Sequence, residues 1–285
     1  MEERQELKKN SCNHLFAKFR RSKKALAIPA TFLILFVSTL GLISITYYFA
    51  VEKVNARSQT LKVTTAKQDL LSLDESIMSV VWQAGSARTI DIADSGGKLN
   101  VKPETNLLTI CLTDNRDINE TVYNGTIGQV AYELPYSESP DTGLFLKGDS
   151  RTVTNQSGSL MTQLNIESGA EHPEIQLRYR PTVSYITTGI EDNRAVTNLR
   201  IYVVNMNNSD PIALYGELPL RISCESTQIT RATYTLDYAI DALSVTSVMA
   251  GASGQVSIPI SSTPDGAVIN LEIVQCNIKV ERCLR

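Results

Sequence analysis

A long stretch without charge near the N-terminus constrains this chain more than any other feature. The apolar run from Ala25 to Val51 is 27 residues long, and no charged residue occurs between Lys24 and Glu52. A helix of that length would span roughly 40 Å at about 1.5 Å per residue, whereas the hydrocarbon core of a bilayer is about 30 Å thick. The run is also too long for a cleaved secretory signal, whose apolar region has about 7–15 residues. We therefore predict one transmembrane helix, with membrane lipid as a partner.

The charge distribution predicts the orientation of this helix. The first 24 residues carry eight Lys or Arg side chains against three Glu, although the whole chain has a net charge of −3. Basic residues beside an apolar span favour the cytoplasmic side, so we expect a cytoplasmic N-terminus and an extracellular region after about Val51. The basic stretch is short and no base-stacking surface follows it, so nucleic acid is not an expected partner.

Helical periodicity continues beyond the membrane. Apolar residues recur at steps of three or four, at Val63, Ala66, Leu70, Leu73, Ile77, Val80 and Ala84. This spacing predicts one apolar stripe on a helix that ends at Ala84, with Gly85 as its stop. On the opposite, polar face we place Lys62, Lys67, Gln68, Asp69, Asp74 and Glu75. A break between Glu52 and Ser58, giving two separate helices, is the alternative.

From Thr89 onward the hydrophobic period changes to two. Ten short segments show this pattern, among them LLTICL (107–112), NLRIYVV (198–204) and AVINLEIVQC (267–276). Turn-forming segments separate them, including YNGT at 123 and TPDG at 263. The pattern predicts an α+β chain: a long N-terminal helix followed by a mainly antiparallel, β-sandwich-like head over residues 86–285. A boundary near 190–195 would divide this head, and residues 237–252 fit a helix or a strand.

Lys24, Ala25 and Leu26 lie at the charge boundary, and Pro29 follows near the start of the apolar helix. A basic and a small residue directly before an apolar helix resemble the class III processing signal of type IV pilins, most closely of archaeal pilin-like surface proteins, in which these two residues precede the cut. The segments WQAG (82–85), ARTIDIADSGGKLNV (87–101) and NGTIGQVAYEL (124–134) also resemble that family. The resemblance implies a first β-hairpin directly after the helix.

This resemblance implies cleavage between Ala25 and Leu26 by a prepilin peptidase. Residues 1–25 would be the leader, 26–85 the helix, and the mature chain a structural or minor subunit of a surface filament, with other pilin subunits as partners and the head exposed for adhesion. Ala30 stands at the fifth mature position, where bacterial pilins carry Glu, which fits archaeal relatives better. Small and hydroxyl side chains that would allow close helix approach are Ser38, Thr39, Gly41, Ser44 and Thr46. The alternative is an uncleaved, single-pass anchored ectodomain that binds a partner or the cell envelope.

Cysteines and glycosylation motifs mark further candidate sites in the head. Cys111, Cys224, Cys276 and Cys283 permit two extracellular disulfides or free thiols, and pairing of Cys276 with Cys283 is preferred because both lie near the C-terminal tail. The Asn-x-Ser/Thr motifs predict surface glycans in turn-like segments. They occur at Asn119, Asn124, Asn155 and Asn207.

The sequence shows no set of catalytic residues. His172 is the only histidine after the apolar run, so a Ser-His-Asp or Cys-His arrangement lacks its base, and no Cys-x-x-Cys metal motif occurs. Acidic pairs such as Asp91 and Asp94 are typical of solvated turns, although a membrane-anchored hydrolase would need such carboxylates in a cleft. We therefore expect a non-enzymatic protein without a metal or cofactor.

Overall fold

The computed structural model contains one long helix followed by a β-rich region. It describes residues 23–114, 116–135, 142–155, 161–169 and 172–283, with side chains from Pro29 onward, so most of the expected leader lies outside the described residues. The helix is α1, Lys23–Val80. The strands are β1 Ala87–Ile92, β2 Lys98–Thr113, β3 Asn119–Glu133, β4 Phe145–Lys147, β5 Thr154–Asn155, β6 Thr162–Ser168, β7 Pro173–Tyr179, β8 Thr182–Glu191, β9 Arg194–Asn205, β10 Ile212–Tyr215, β11 Leu218–Leu236, β12 Ala242–Met249, β13 Ala252–Pro259 and β14 Ala267–Arg282.

The strands form two sheets. The first has six strands in the order β1-β11-β14-β9-β8-β5. The second has eight, in the order β13-β12-β2-β3-β7-β6-β4, with β10 paired to β2. Among the described pairings only β14 with β9 and β5 with β8 are parallel. The predicted class, a long helix followed by a mainly antiparallel, sandwich-like head, is confirmed.

Alternating side chains explain why the long strands form sheets with one buried face. Along β9, Leu199, Ile201 and Val203 are buried while Asn198 and Arg200 are exposed. Successive side chains of a strand point to opposite faces, so this alternation directs the branched apolar residues inward. The same rule directs polar residues outward over several neighbouring strands.

The head has two hydrophobic cores, and the long strands connect them. The first core includes the helix and residues such as Leu99 of β2 and Ile278 of β14. The second includes Ile110 of β2 and Ile269 of β14 but no residue of the helix. Strands β2, β3, β9, β11 and β14 contribute to both cores. The stretch near 190–195, considered above as a boundary, is a hairpin turn between β8 and β9, with positive φ at Asp192 and Asn193.

The C-terminal part of α1 belongs to the same compact unit as the strands, which extends from Gln59 to Arg285. Its buried apolar residues are Ala66, Leu70, Leu73, Ile77 and Val80, as the stripe predicts. The helix is continuous between Glu52 and Ser58, so the alternative of two separate helices is not observed. It ends at Val80 rather than at Ala84. Gly85, the predicted stop, therefore lies five residues beyond the end of the helix. It has a φ of 83°, and its N–H donates to the Cys224 carbonyl at 2.8 Å.

The prediction that Asp74 lies on the exposed polar face of the helix was wrong, because its side chain is completely buried. Its carboxylate accepts hydrogen bonds from the Thr162 hydroxyl and the Tyr179 hydroxyl, each at 2.8 Å, and pairs with Lys147. These three partners lie on β6, at the end of β7 and on β4. Burial and the neighbouring Asp74 carboxylate raise the pKa of Tyr179 well above its ordinary value, so this hydroxyl stays protonated and donating.

Two local predictions about turns were wrong. The YNGT segment at 123 lies inside β3, where Asn124 pairs with Thr109 of β2, because the connection between these strands is made earlier, at residues 114–118. The segment 87–101 is not a hairpin. β1 pairs with β11 and β2 pairs with β3, so the chain passes from one sheet to the other around Gly96. The ambiguous segment 237–252 contains strand β12.

A buried arginine supports the corner between β7 and β8, where the chain passes from the eight-stranded to the six-stranded sheet. Arg180 follows β7 of the eight-stranded sheet and shortly precedes β8 of the six-stranded sheet, and its side chain is fully buried. Its guanidinium donates to the Arg151 carbonyl at 2.8 Å and pairs with the Asp149 carboxylate. Hydrogen bonds from Arg151 and then from Arg180 hold the pKa of Asp149 well below its usual range.

Replacing Asp74 tests the contribution of the buried carboxylate. We expect Asp74→Ala to lower the free energy of unfolding by about 3–5 kcal/mol, because Lys147 and the two hydroxyl groups lose a buried acceptor. Urea unfolding of the full chain in detergent would report this through Trp82, the single tryptophan, which contacts Tyr202 with ring centroids 5.1 Å apart. Glu75→Ala, on the exposed face of the same helix, should change stability by less than about 0.5 kcal/mol. Equal effects of the two substitutions would contradict this role.

The Asp149 pair predicts a specific acid sensitivity. A carboxyl whose folded pKa is depressed contributes stability that is present above its unfolded pKa, about 3.9, and is lost as the pH falls through the folded value. Asp149→Asn should therefore be less stable than the wild type at neutral pH and should lose less stability on acidification below about pH 4. Unfolding midpoints at several pH values would show this. Asp237→Asn, which removes a surface ion pair with Arg194, should keep the acid slope of the wild type.

Candidate functional site: the exposed apolar helix

The first half of α1 presents apolar side chains that no other part of the described chain covers. Every described side chain from Pro29 to Lys62 is exposed. The large apolar residues among them include Phe32, 74 % exposed, and Tyr47, 71 % exposed. The most apolar window of this helix has a mean hydropathy of 2.0. Burying such a surface is strongly favourable at about 25 cal/mol per Å², so this segment needs non-aqueous surroundings.

Four Ser and Thr hydroxyl groups in this segment donate hydrogen bonds to carbonyls of the same helix. Thr39 and Ser44 donate to the carbonyls of Leu35 and Leu40 at 2.7 and 2.8 Å. Ser38 and Thr46 make equivalent bonds. In hydrocarbon an unpaired polar group costs several kcal/mol, so these internal bonds let the segment enter lipid or contact another helix without penalty.

Tyrosines mark one end of the apolar segment, a signal that the sequence analysis missed. Tyr47 and Tyr48 lie just before the first charged residues, Glu52 and Lys53, and Tyr48 contacts Phe49 edge to face with centroids 6.1 Å apart. Tyrosine is enriched where a bilayer meets water, because its ring is apolar and its hydroxyl is polar. The position of these rings relative to the charge boundary would have predicted that interface.

The predicted processing residues lie near the beginning of α1. Lys24, Ala25 and Leu26 belong to the helix, which begins at Lys23. The residues before Lys23, including Cys12, lie outside the described part of the chain. The predicted cut between Ala25 and Leu26 stays a prediction.

The four glycosylation motifs occupy different environments. Asn119 is exposed at the start of β3, and Asn124 is exposed within that strand rather than in a turn, 3.4 Å from the Thr109 hydroxyl. Asn155 lies at the end of β5, and the rest of its motif falls outside the described residues. Asn207 is half-buried in a turn, with its N–H bonded to Asn205. Exposure therefore favours Asn119 and Asn124 as glycan acceptors.

The four cysteines of the head are free thiols in this structure. The preferred pairing of Cys276 with Cys283 does not fit the fold. Cys276 lies on β14 and Cys283 directly follows that strand, so seven extended residues separate them by roughly 23 Å. A disulfide requires Cα atoms about 4.4–6.8 Å apart. Cys111 and Cys283 are half-exposed, and Cys224 and Cys276 are buried.

The two buried cysteines instead lie at the end of the helix. The thiols of Cys224 on β11 and Cys276 on β14 both point at the Val81 carbonyl, the former at 3.5 Å. Carbonyls at a helix C-terminus lack helical partners, so these thiols act as weak donors to one of them. Burial raises the pKa of Cys276 to about 11.

Comparison with models of protein families, with curated proteins and with solved structures found no match for this chain. Within the described ranges, no cluster of three or more His, Cys, Asp or Glu side chains is arranged to hold a metal ion. A single apolar N-terminal helix, long enough to cross a membrane, followed by a β-rich head defines the class of protein that the structure supports.

The environments of the four thiols predict the order in which they react. With a maleimide at neutral pH, Cys111 and Cys283 should be modified first, while Cys224 and Cys276 should react only after unfolding. Reactivity requires an accessible thiolate, which burial and a raised pKa both disfavour. Peptide mass spectrometry after timed labelling would measure this, with the chain in denaturant as the control in which all four react. Rapid labelling of Cys276 in the folded chain would contradict the packing around Val81.

Proposed function

We propose that this chain is a pilin-like structural subunit of a surface filament, with the β-rich head outside the cell. The observation that carries the proposal is a difference between the two halves of α1. Its first half exposes apolar residues, and its second half is part of the head's first core. The first half can therefore be held by lipid or by neighbouring subunits while the second half stays fixed to the strands.

The packing of the second half of α1 suits it to transmit force to the head. The helix is anchored by the buried Leu70, Leu73 and Ile77 and by the Asp74 cluster, which involves three strands. When a filament is stretched, neighbouring subunits pull on the helix of each subunit, and the helix must transmit that force to its own head. Buried apolar packing together with a paired internal charge resists such sliding, because moving the helix by one turn would break every one of these contacts.

The surface of the first half is compatible with helix–helix packing. Gly41 has no atom near the position that a Cβ would occupy, and Thr39 and Ser44 bond to their own helix. Small residues let helix backbones approach closely, which strengthens packing in the absence of water. In the filament, other copies or other pilin subunits would contact this surface, and a prepilin peptidase would first remove residues 1–25.

The second candidate function is an uncleaved, single-pass surface protein. The tyrosines at the end of the apolar segment favour it, since an interface anchor is useful to a helix that stays in the bilayer. In that case the same head would act at the membrane surface, binding a partner or the cell envelope. The two functions differ in the fate of residues 1–25.

The deciding experiment is the N-terminal sequence of the protein recovered from membranes of cells that also contain an archaeal prepilin peptidase. We expect the mature chain to begin at Leu26. Ala25→Leu should block the cut, because a small residue precedes it in the resembling signal, whereas Ala27→Leu places the same side chain after the cut and should be processed. A wild-type chain that still begins at Met1 would contradict the pilin-like proposal and support the single-pass anchor.

A further inference from the structure

The outer face of the six-stranded sheet carries a groove that the functions above do not use. Its volume is about 610 Å³, within the range of about 300–1,000 Å³ that is typical of small-molecule sites. It is formed by β8, β9, β14 and β11, which are neighbours in the sheet. Because β9 and β14 are paired on both sides, only their side chains face the groove.

Strand register arranges these side chains in two polar rows. In the first row Thr233, Asn270 and Asn198 stand on adjacent strands, β11, β14 and β9. The Thr233 hydroxyl donates to the Asn270 amide oxygen, and the Asn270 NH₂ donates to the Asn198 amide oxygen, both at 3.1 Å. This chain of bonds holds the amide of Asn198, which lines the groove.

The second row is charged. Arg231, Glu272 and Arg200 stand on the same three strands. Arg231 donates to one Glu272 oxygen at 2.9 Å, and Arg200 donates to the other. Burial opposes ionisation of Glu272, but the hydrogen bonds from the two arginines outweigh it and keep its pKa below the usual value. The row therefore carries one net positive charge, and Arg231 is its most exposed member, at 73 % of its side chain.

Aromatic and apolar side chains border these rows. Tyr202 lies beyond Arg200 on β9, and the edge-to-face contact with Trp82 holds its ring. On β8, Ile186 stands opposite Asn198, lines the groove and is largely exposed. The groove therefore combines apolar borders with hydrogen-bonded amides and a guanidinium.

The geometry points to an acidic saccharide, one that carries a carboxylate as uronic acids do, as the ligand of this groove. The apolar C–H faces of a sugar ring would lie on the Tyr202 and Ile186 side chains, its hydroxyl groups would bond to Asn198, and its carboxylate would bind Arg231. This inference rests on the proposed exposure of the head outside the cell, and it names what the head would hold there.

A peptide fits the groove less well. An extended peptide usually binds by adding a strand to a sheet edge, where backbone groups are free. Here the groove lies over β9 and β14, whose backbone groups are already used in pairing on both sides. Recognition must therefore come from side chains, and fixed planar amides suit the many hydroxyl groups of a sugar.

Calorimetric titration of the full chain in detergent would test the inference with three probes: trigalacturonic acid, galactotriose and triglutamate. We expect the acidic sugar to bind, the neutral sugar to bind on the order of tenfold more weakly because it lacks the charged hydrogen bond, and the peptide not to bind. Binding of the acidic sugar should weaken as salt is added. Equal binding of triglutamate, or no binding of either sugar, would overturn the inference.

Variants locate the site and separate it from the proposed function. Arg231→Gln should lower the affinity for the acidic sugar by about tenfold and leave the neutral sugar unchanged, whereas Asn198→Ala should weaken both. Arg221→Gln removes a comparable arginine on the same strand, which pairs with Glu281 outside the groove, and should change neither. A chain that begins at Leu26 but binds no sugar overturns only this inference. A chain that binds the acidic sugar but begins at Met1 overturns only the filament proposal.

Discussion

The contact between one carboxylate and three strands determines how the helix and the head become a single structure. Asp74 is fully buried, and its partners Lys147, Thr162 and Tyr179 come from parts of the chain distant in sequence. Taking a charge out of water costs several kcal/mol, so this arrangement is stable only when all the donors are in place. The apolar stripe gives the helix affinity for the head. The carboxylate fixes which rotation and which height along the helix axis are allowed.

Much of the architecture could be predicted from local patterns. The apolar run, the stripe from Ala66 to Val80 and the alternation in β9 and β14 each depend on neighbours in sequence, and each was identified correctly. The predictions that were wrong concerned contacts between residues distant in sequence. Asp74 fits a polar face by its type, and only the tertiary fold supplies the donors that let it be buried. β1 and β2 look like a hairpin because they are consecutive, but β1 pairs with β11, more than a hundred residues later.

The same difference between local patterns and long-range contacts applies to the candidate sites. The apolar helix was evident from the sequence because its character depends on composition alone. The groove on the six-stranded sheet was not, because its two polar rows exist only when β11, β14 and β9 are aligned in register, so that Asn198, Asn270 and Thr233 meet. The cysteine pairing was misjudged for a similar reason. Closeness in sequence suggested Cys276 and Cys283, whereas an extended strand keeps them apart and the fold brings Cys276 to the end of the helix beside Cys224.

The position of β14 has a consequence for how the protein is made. This strand is synthesised after the thirteen other strands that the structure describes, yet it lies between β11 and β9 and supplies residues to both cores. Neither core can close before it arrives. The N-terminal helix, by contrast, emerges from the ribosome first and can enter the membrane while the head is still unfolded. In the functions proposed above, the chain would thus be tethered before it folds, and the head would cross the membrane before its cores close.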